Sequence, residues 1–309
     1  MNKFLRNICI LILLGFVSGG KLAAQDKPID LLRSDRNDYV MVAAHRGDWI
    51  YAPENSMKSL EHAIHFGADL LETDVRLTKD GHFVMMHDKA VDRTTFGTGN
   101  IIDLTLEEVR QLRLKTNFGT RTQMQVPTLE EYIRAAKGRI LLYLDKAGQE
   151  DHPDHPKGYK IKKLIEVLER NGVLEESVFV LDFPYAEAKA IFGSSLERVN
   201  YIPVIEESIP NLPAYVDEYI EKLHPVAFQF RMSSLDSETY RQLPKVIQAG
   251  AKPFVAATWK THTAGHDDLV SIFDNPSKGW GWLIEQGFRI LETNYPKDLT
   301  DYLNHEGLH

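Results

Sequence analysis

The chain has 309 residues, 43% apolar and 26% charged, with 20 glycines and 14 prolines. These values exclude a disordered, collagenous or low-complexity chain and leave ample length for a large core, as one α/β barrel or about two domains. A formal net charge of −8 argues against nucleic acid as a main partner, because a phosphate backbone demands a basic face, but leaves open a phosphate-bearing small molecule.

At the N-terminus, Lys3 and Arg6 precede an apolar run at 8–18, and Gly19, Gly20 and Ala23-Ala24-Gln25 supply small residues for cleavage. This pattern predicts a secretory signal peptide over 1–24, hence a secreted or periplasmic protein with no stable membrane insertion after cleavage. The alternative is an uncleaved anchor, for which the run is short of the ~20 apolar residues of a span. Cleavage removes Lys3, Arg6 and Lys21, taking the charge from −8 to −11. It also removes Cys9, the single cysteine. A mature chain without a thiol has no disulfide, no thiolate metal site and no cysteine nucleophile.

Along 25–309, short apolar runs alternate with helical patterns. Strands are predicted at 40–44, 69–75, 140–145, 178–182, 199–204, 226–230, 253–258 and 289–293. Residues 56–66 read as a helix with Asn55 as its cap and Gly67 at its end. Thr105-Leu106-Glu107-Glu108 and Thr128-Leu129-Glu130-Glu131 are capping boxes. Residues 159–171, 213–223 and 278–287 carry further helical periodicity. Eight strand–helix repeats without a flexible linker predict a single (β/α)8 TIM barrel over 25–309. A ninth apolar run, 82–87, follows the 69–75 strand after Asp80-Gly81, a hairpin signal. It predicts a hairpin arm after the second strand, returning His87 beside Glu72 and Asp74.

The chemistry collects at the carboxyl ends of the strands, where barrel active sites lie. The first strand ends at His45-Arg46-Gly47. Glu72 and Asp74 are two apart on the second, so they face the same way ~6.6 Å apart along the strand. Converging carboxylates suit a shared divalent cation better than unpaired burial. The strand predicted at 140–145 ends at Asp145-Lys146, a third carboxylate and a cation. His45 and His87 titrate near neutrality. Carboxylates for a metal, two histidines, Arg46 and Lys146 together suit phosphodiester cleavage: cations hold the phosphate oxygens while one histidine takes a proton and the other gives one.

The ordered motifs His45-Arg46-Gly47, Pro53-Glu54-Asn55, Glu72-Thr73-Asp74-Val75, Lys79-Asp80-Gly81, His87-Asp88, Asp92-Arg93-Thr94-Thr95, Gly97-Thr98-Gly99 and Val126-Pro127-Thr128-Leu129-Glu130-Glu131 resemble the glycerophosphodiester phosphodiesterase family. The tail from Gly287 to Thr293-Asn294-Tyr295-Pro296 resembles the family's closing motif more weakly. The resemblance implies a (β/α)8 barrel that hydrolyses glycerophosphodiesters to glycerol 3-phosphate and an alcohol with one divalent cation, calcium or magnesium. It implies His45 and His87 as acid and base, Glu72 and Asp74 as metal ligands, and Arg46 as a phosphate contact. The substrate's own 2-hydroxyl would attack phosphorus, giving a cyclic phosphate that is then hydrolysed.

Two departures stand out. The family's Glu-x-Lys becomes Asp145-Lys146. Asp145 still suits the metal, but Lys146, next to it, reaches the site only if the strand has already ended. The related spider-venom phospholipase D family also has Asp at this metal position, which keeps lysophospholipid substrates and a cyclic phosphate product open. The family's Trp-Thr-x-Asn becomes Ala257-Thr258-Trp259-Lys260, with Trp259 displaced but able to wall the substrate pocket. A non-catalytic phosphoester-binding barrel is the third reading, disfavoured by the histidine pair.

Other polar residues have bland readings. His62, His65 and His82 read as solvated surface. Loop 147–158, with His152 and His155, reads as a solvated active-site loop or a second metal site. His262, His266 and Asp267 follow a strand end at the same mouth and are candidates for the substrate's alcohol portion. Glu54 and Asn55 are candidates for support of the site as well as for capping. Trp280 and Trp282 read as packing.

Overall fold

A computed structural model describes residues 26–309. The segment 1–24 predicted as a signal peptide, with Cys9, lies outside the described residues. Among these, no helix is long and apolar enough to cross a membrane.

Among the described residues nine strands form: β1 Met41–His45, β2 Leu70–Leu77, β3 Phe83–Met85, β4 Leu141–Asp145, β5 Val178–Leu181, β6 Asn200–Glu206, β7 Ala227–Arg231, β8 Lys252–Ala256 and β9 Ile290–Thr293. Eight of them pair in parallel in the cyclic order β1-β2-β4-β5-β6-β7-β8-β9, closed by β1 against β9. This is the expected (β/α)8 barrel. The ninth, β3, pairs antiparallel with β2 in the register Val75 to Met85, so it is the hairpin arm. The loop holds three residues: Thr78 N–H donates to the His82 carbonyl, and Gly81 takes φ +84°, a left-handed angle that glycine adopts without a Cβ clash.

Among the described residues twelve α-helices accompany the strands. A short α1 (Pro28–Arg33) precedes the barrel. Then come α2 Met57–His65, α3 Leu106–Gln111, α4 Leu129–Ala136, α5 Tyr159–Arg170, α6 Tyr185–Phe192, α7 Leu212–Lys222, α8 Glu238–Arg241, α9 Leu243–Gln248, α10 Asp268–Phe273, α11 Trp280–Glu285 and α12 Pro296–Glu306. Both predicted capping boxes form, at Thr105 with Glu108 and at Thr128 with Glu131. The cap of α2 is a correction: it is Ser56, in a reciprocal box with Ser59, and Asn55 is turned to another use.

Alternation along the strands sorts their side chains. Met41, Ala43, Leu70, Leu141, Tyr143, Val178, Ile202, Ala227, Phe254 and Ile290 fill the barrel interior. Val42, Leu71, Leu142, Leu144, Phe179, Phe228, Val255 and Leu291 join the larger core under the helices, which also takes in the buried Trp280. Near the carboxyl ends the interior face turns from apolar to charged. That change marks the site.

Candidate active site

The turn after β1 brings the first residues in. Gly47 lies at φ +75°, and a Cβ there would stand 2.7 Å from the Ser59 backbone carbonyl, so only glycine lets α2 approach. Arg46, left-handed at φ 53°, donates its backbone N–H to Glu72 Oε2 at 2.8 Å. Its guanidinium reaches Glu54 Oε1 at 3.2 Å and stands 3.7 Å from Asp74 Oδ2.

Glu72, Asp74 and Asp145 each place a carboxylate oxygen so that the three lie within 4.8 Å of one another. Their register neighbours explain it: Asp74 pairs with Asp145 across β2 and β4. Glu72 and Asp74 are 2% and 0% exposed. Burial, reinforced by the neighbouring carboxylates, pushes Glu72 well above the usual carboxylate range and raises Asp74 too. Burial also opposes ionisation of Asp145, but the charge and hydrogen bonds of Lys146 outweigh it and hold that carboxyl low. Asp74 Oδ1 is buried with no hydrogen-bond partner. An oxygen-only cluster, its three carboxylates outnumbering the two flanking cations Arg46 and Lys146 and spaced for ligand distances of about 2.4 Å, fits a hard divalent cation such as calcium.

Lys146 resolves the geometric question set by its sequence position. The strand ends at Asp145, and Lys146 turns left-handed at φ 61°. Its Nζ thereby comes to 2.5 Å from Asp145 Oδ2 and 3.7 Å from Asp74 Oδ1.

Asn55 explains how Asp74 keeps its aim. At φ 53° it donates from Nδ2 to Asp74 Oδ2 at 2.8 Å, and its Oδ1 accepts from the Thr73 hydroxyl and the Asp74 N–H. The sequence places Asn55 where a cap belongs; the structure makes it a clamp on a carboxylate.

Both histidines have fixed tautomers. Asn294 Oδ1 accepts the Trp49 indole N–H at 3.0 Å, and an indole can only donate. The same oxygen lies 2.7 Å from His45 Nδ1, so Nδ1 carries the proton. Nε2 is left as an acceptor, 3.9 Å from Glu72 Oε2. Burial, then the charge of Arg46, pushes His45 down to about 4, so it is neutral at pH 7. His87 Nδ1 lies 2.6 Å from Asp88 Oδ1. Hydrogen bonds from Arg93 hold Asp88 far below the carboxylate range, so His87 Nδ1–H donates to it. Arg93 also binds Glu54 with two nitrogens at 2.7 Å. A continuous chain of polar contacts thus runs from His87 through Asp88, Arg93, Glu54 and Arg46 to Asp74, joining the hairpin arm to the carboxylates.

Trp259, half exposed, sets its ring edge-on to His45 at 6.3 Å between centroids. All eight predicted site residues therefore gather at one mouth.

Several supporting residues escaped the sequence reading. Asp268, at the start of α10, accepts from Trp280 Nε1, the Thr293 hydroxyl and the Asn294 N–H, each at 2.8 Å, and so fixes Asn294 behind His45. Glu292 on β9 lies on the barrel's interior face, pushed up to about 8 by burial and then by Asp145. Glu206 and Arg231, at the ends of β6 and β7, pair at 3.0 Å. A charged residue in an otherwise apolar strand was the available signal for these last three. Two surface readings are corrected. His62 is half-buried and pairs with Asp48 at 2.8 Å rather than standing free in solvent, whereas His65 and His82 are exposed as expected. Loop 147–158 is not merely solvated, because Asp151 is buried between Arg76 and Lys160 at 2.9 Å each. Arg76 in turn holds the His87 carbonyl from Nε at 2.9 Å and Nη2 at 2.5 Å.

A sequence profile of the glycerophosphoryl diester phosphodiesterase family matches residues 45–222. The chain belongs to that family. A second profile, of a domain of unknown function, matches residues 201–303. A glycerophosphodiester phosphodiesterase of Caldanaerobacter subterraneus is 48% identical over 92 residues, 29% of this chain and 38% of that protein. Mouse glycerophosphodiester phosphodiesterase 1 is 35% identical over 154 residues, 47% of this chain and 46% of that protein. The chain thus spans less than half the length of these relatives. A glycerophosphoryl diester phosphodiesterase from Parabacteroides distasonis has the same fold, with a TM-score of 0.70 at 24% identity, covering 90% of this chain and 92% of that one. An Oleispira antarctica phosphodiesterase, solved in complex with the product sn-glycerol-3-phosphate, matches with a TM-score of 0.61 at 24% identity, covering 85% of this chain and 96% of that one.

Proposed function

We propose that this protein hydrolyses glycerophosphodiesters to glycerol 3-phosphate and an alcohol, using a divalent cation held by Glu72, Asp74 and Asp145, calcium or magnesium. The observation that carries this reading is the carboxylate triad within 4.8 Å, with Glu72 and Asp74 buried and Asp145 partly open to the mouth, flanked by two histidines whose ring protons are fixed. When bound, the cation supplies positive charge to the phosphate oxygens. Arg46 and Lys146 add hydrogen bonds to the same oxygens. Neutral His45 accepts, at Nε2, the proton of the substrate's 2-hydroxyl as that oxygen bonds to phosphorus. His87, oriented by Asp88, gives a proton to the departing alcohol oxygen. The cyclic phosphate then opens with water, the histidines exchanging roles. Trp259 walls the pocket. A mere binder has no use for two oriented proton carriers, which favours catalysis. We also propose export by the segment 1–24, tested by N-terminal sequencing of the mature protein.

The test is glycerol 3-phosphate release from glycerophosphocholine and sibling diesters, with added calcium or magnesium and with chelator. Release that disappears with chelator and in His45→Ala supports the reading. Release indifferent to both overturns it. A persistent cyclic phosphate by phosphorus NMR would redirect it to a lysophospholipid-cleaving enzyme of the phospholipase D type.

A further inference from the structure

Across the mouth from the carboxylate triad, the ends of β6 and β7 and the turn after β8 carry polar groups that the mechanism does not use. Arg231 is the last residue of β7 and shares the interior face with Ala227 and Gln229, the latter reaching Glu292. One of its five N–H groups is committed: Nη1 donates to Glu206 Oε2 at 3.0 Å. The other oxygen of Glu206 is taken by the Ser208 hydroxyl. Arg231 Nε is buried with no partner, a donor stripped of water and given nothing in return. The charge of Arg231 is felt by Asp145 and Glu292, which places it over the same mouth.

Its neighbours lie on the same side of the mouth. The His262 carbonyl accepts the Met232 N–H at 3.1 Å, which ties the turn after β8 to the end of β7. His262 Nδ1 is buried without a partner as well. The Trp259 ring lies between His45, at 6.3 Å, and His262, at 6.4 Å. One flat, half-exposed surface therefore runs from a proton-transfer group to the Arg231 side. Arg46, Lys146 and Arg93, by contrast, already face the carboxylates of Glu54, Asp74, Asp145 and Asp88.

We propose that Arg231 and His262 form a subsite for an anionic group, a carboxylate or a further phosphate, on the alcohol half of the diester. The proposal rests on the diesterase reading above and names its substrate class. The alcohol's carbon skeleton lies along Trp259, and its anionic end takes the free guanidinium edge of Arg231 in charge-assisted hydrogen bonds. Glu207, held by the Ser233 hydroxyl at 3.1 Å, stands on the same rim. An ammonium beside the carboxylate, as in a serine headgroup, meets opposite charge there. The subsite lies in the segment 201–303 that the second profile covers, apart from the triad and histidines within 45–222.

The experiment compares kcat/KM for glycerophosphoserine and for bis(glycerophospho)glycerol with that for glycerophosphoglycerol, whose alcohol is neutral, in wild type, Arg231→Gln and Arg231→Lys. The first two substrates separate a carboxylate from a phosphate as the natural anion. The anionic-to-neutral ratio is expected to fall by about tenfold or more in Arg231→Gln and to be partly restored in Arg231→Lys. A ratio that moves by less than about threefold for both anionic substrates overturns the subsite. If wild type cleaves no diester with either metal, the diesterase reading fails by itself. The same three ligands are then compared by calorimetric binding to wild type and Arg231→Gln, with the same criterion. Arg231→Lys, which keeps the charge beside Glu206, separates loss of recognition from loss of folding.

Discussion

Replacing Asp151 with alanine removes the centre of a buried charge network, and the structure sets the size of the effect. Asp151 Oδ1 accepts from Arg76 Nη1 at 2.9 Å, and Oδ2 accepts from Lys160 Nζ and the Leu77 N–H at the same distance. The side chains of Arg76, Asp151 and Lys160 are 5%, 4% and 0% exposed. Without Asp151, two cations face a dry interior. Lys160 can shed its proton, since burial already pushes it down to about 8, but Arg76 cannot. Breaking a buried pair of this kind costs about 3–5 kcal/mol. With a urea slope of about 3 kcal/mol per molar, the unfolding midpoint of Asp151→Ala should fall by about 1 M or more. Circular dichroism in urea reads this directly. Because Arg76 also holds the His87 carbonyl, kcat should fall in the protein that remains folded. A midpoint within about 0.3 M of wild type, on the same slope, would refute the view that these charges depend on one another.

Asn55→Ala should weaken calcium or magnesium binding by about 10- to 100-fold, because the clamp on Asp74 is lost while every ligand stays; calorimetric titration checks it. His45→Ala and His87→Ala should each lower kcat by about 10²–10⁴ and keep the metal; a loss of only a few fold in either would remove that residue from proton transfer. Glu72→Ala and Asp74→Ala should lose metal binding and activity together, by calorimetry and product assay. Lys160 yields a pH test. Its pKa is about 8 when folded and about 10.4 when unfolded, so between these values the unfolded chain binds the extra proton and stability from this group rises with pH. Relative to Lys160→Met, wild-type Tm should therefore gain as pH rises from about 8 to 10, with no such gain below about 7.

Much of this molecule is local and was readable along the chain. Strand–helix alternation, the capping boxes at Thr105 and Thr128, the Asp80-Gly81 hairpin and the pairing of Glu72 with Asp74 depend on spacings of a few residues. Backbone geometry converts such spacings into shape directly. The proposed site residues were legible for related reasons: seven lie at or just after the ends of barrel strands, which a barrel sends to one mouth, and His87 is returned there by the hairpin arm. What the tertiary structure alone decided is which side chains meet across long separations. Asn55 looks like a cap in sequence, yet Ser56 caps the helix and Asn55 clamps Asp74, 19 positions away. Lys146 depends on a single left-handed residue at the end of β4. Asn294 meets His45 across 249 positions, and Arg76 meets Asp151 across 75. Hydrogen bonds and ion pairs of this kind are set by closure of the barrel and by what burial leaves unsatisfied, and no short stretch of chain records either.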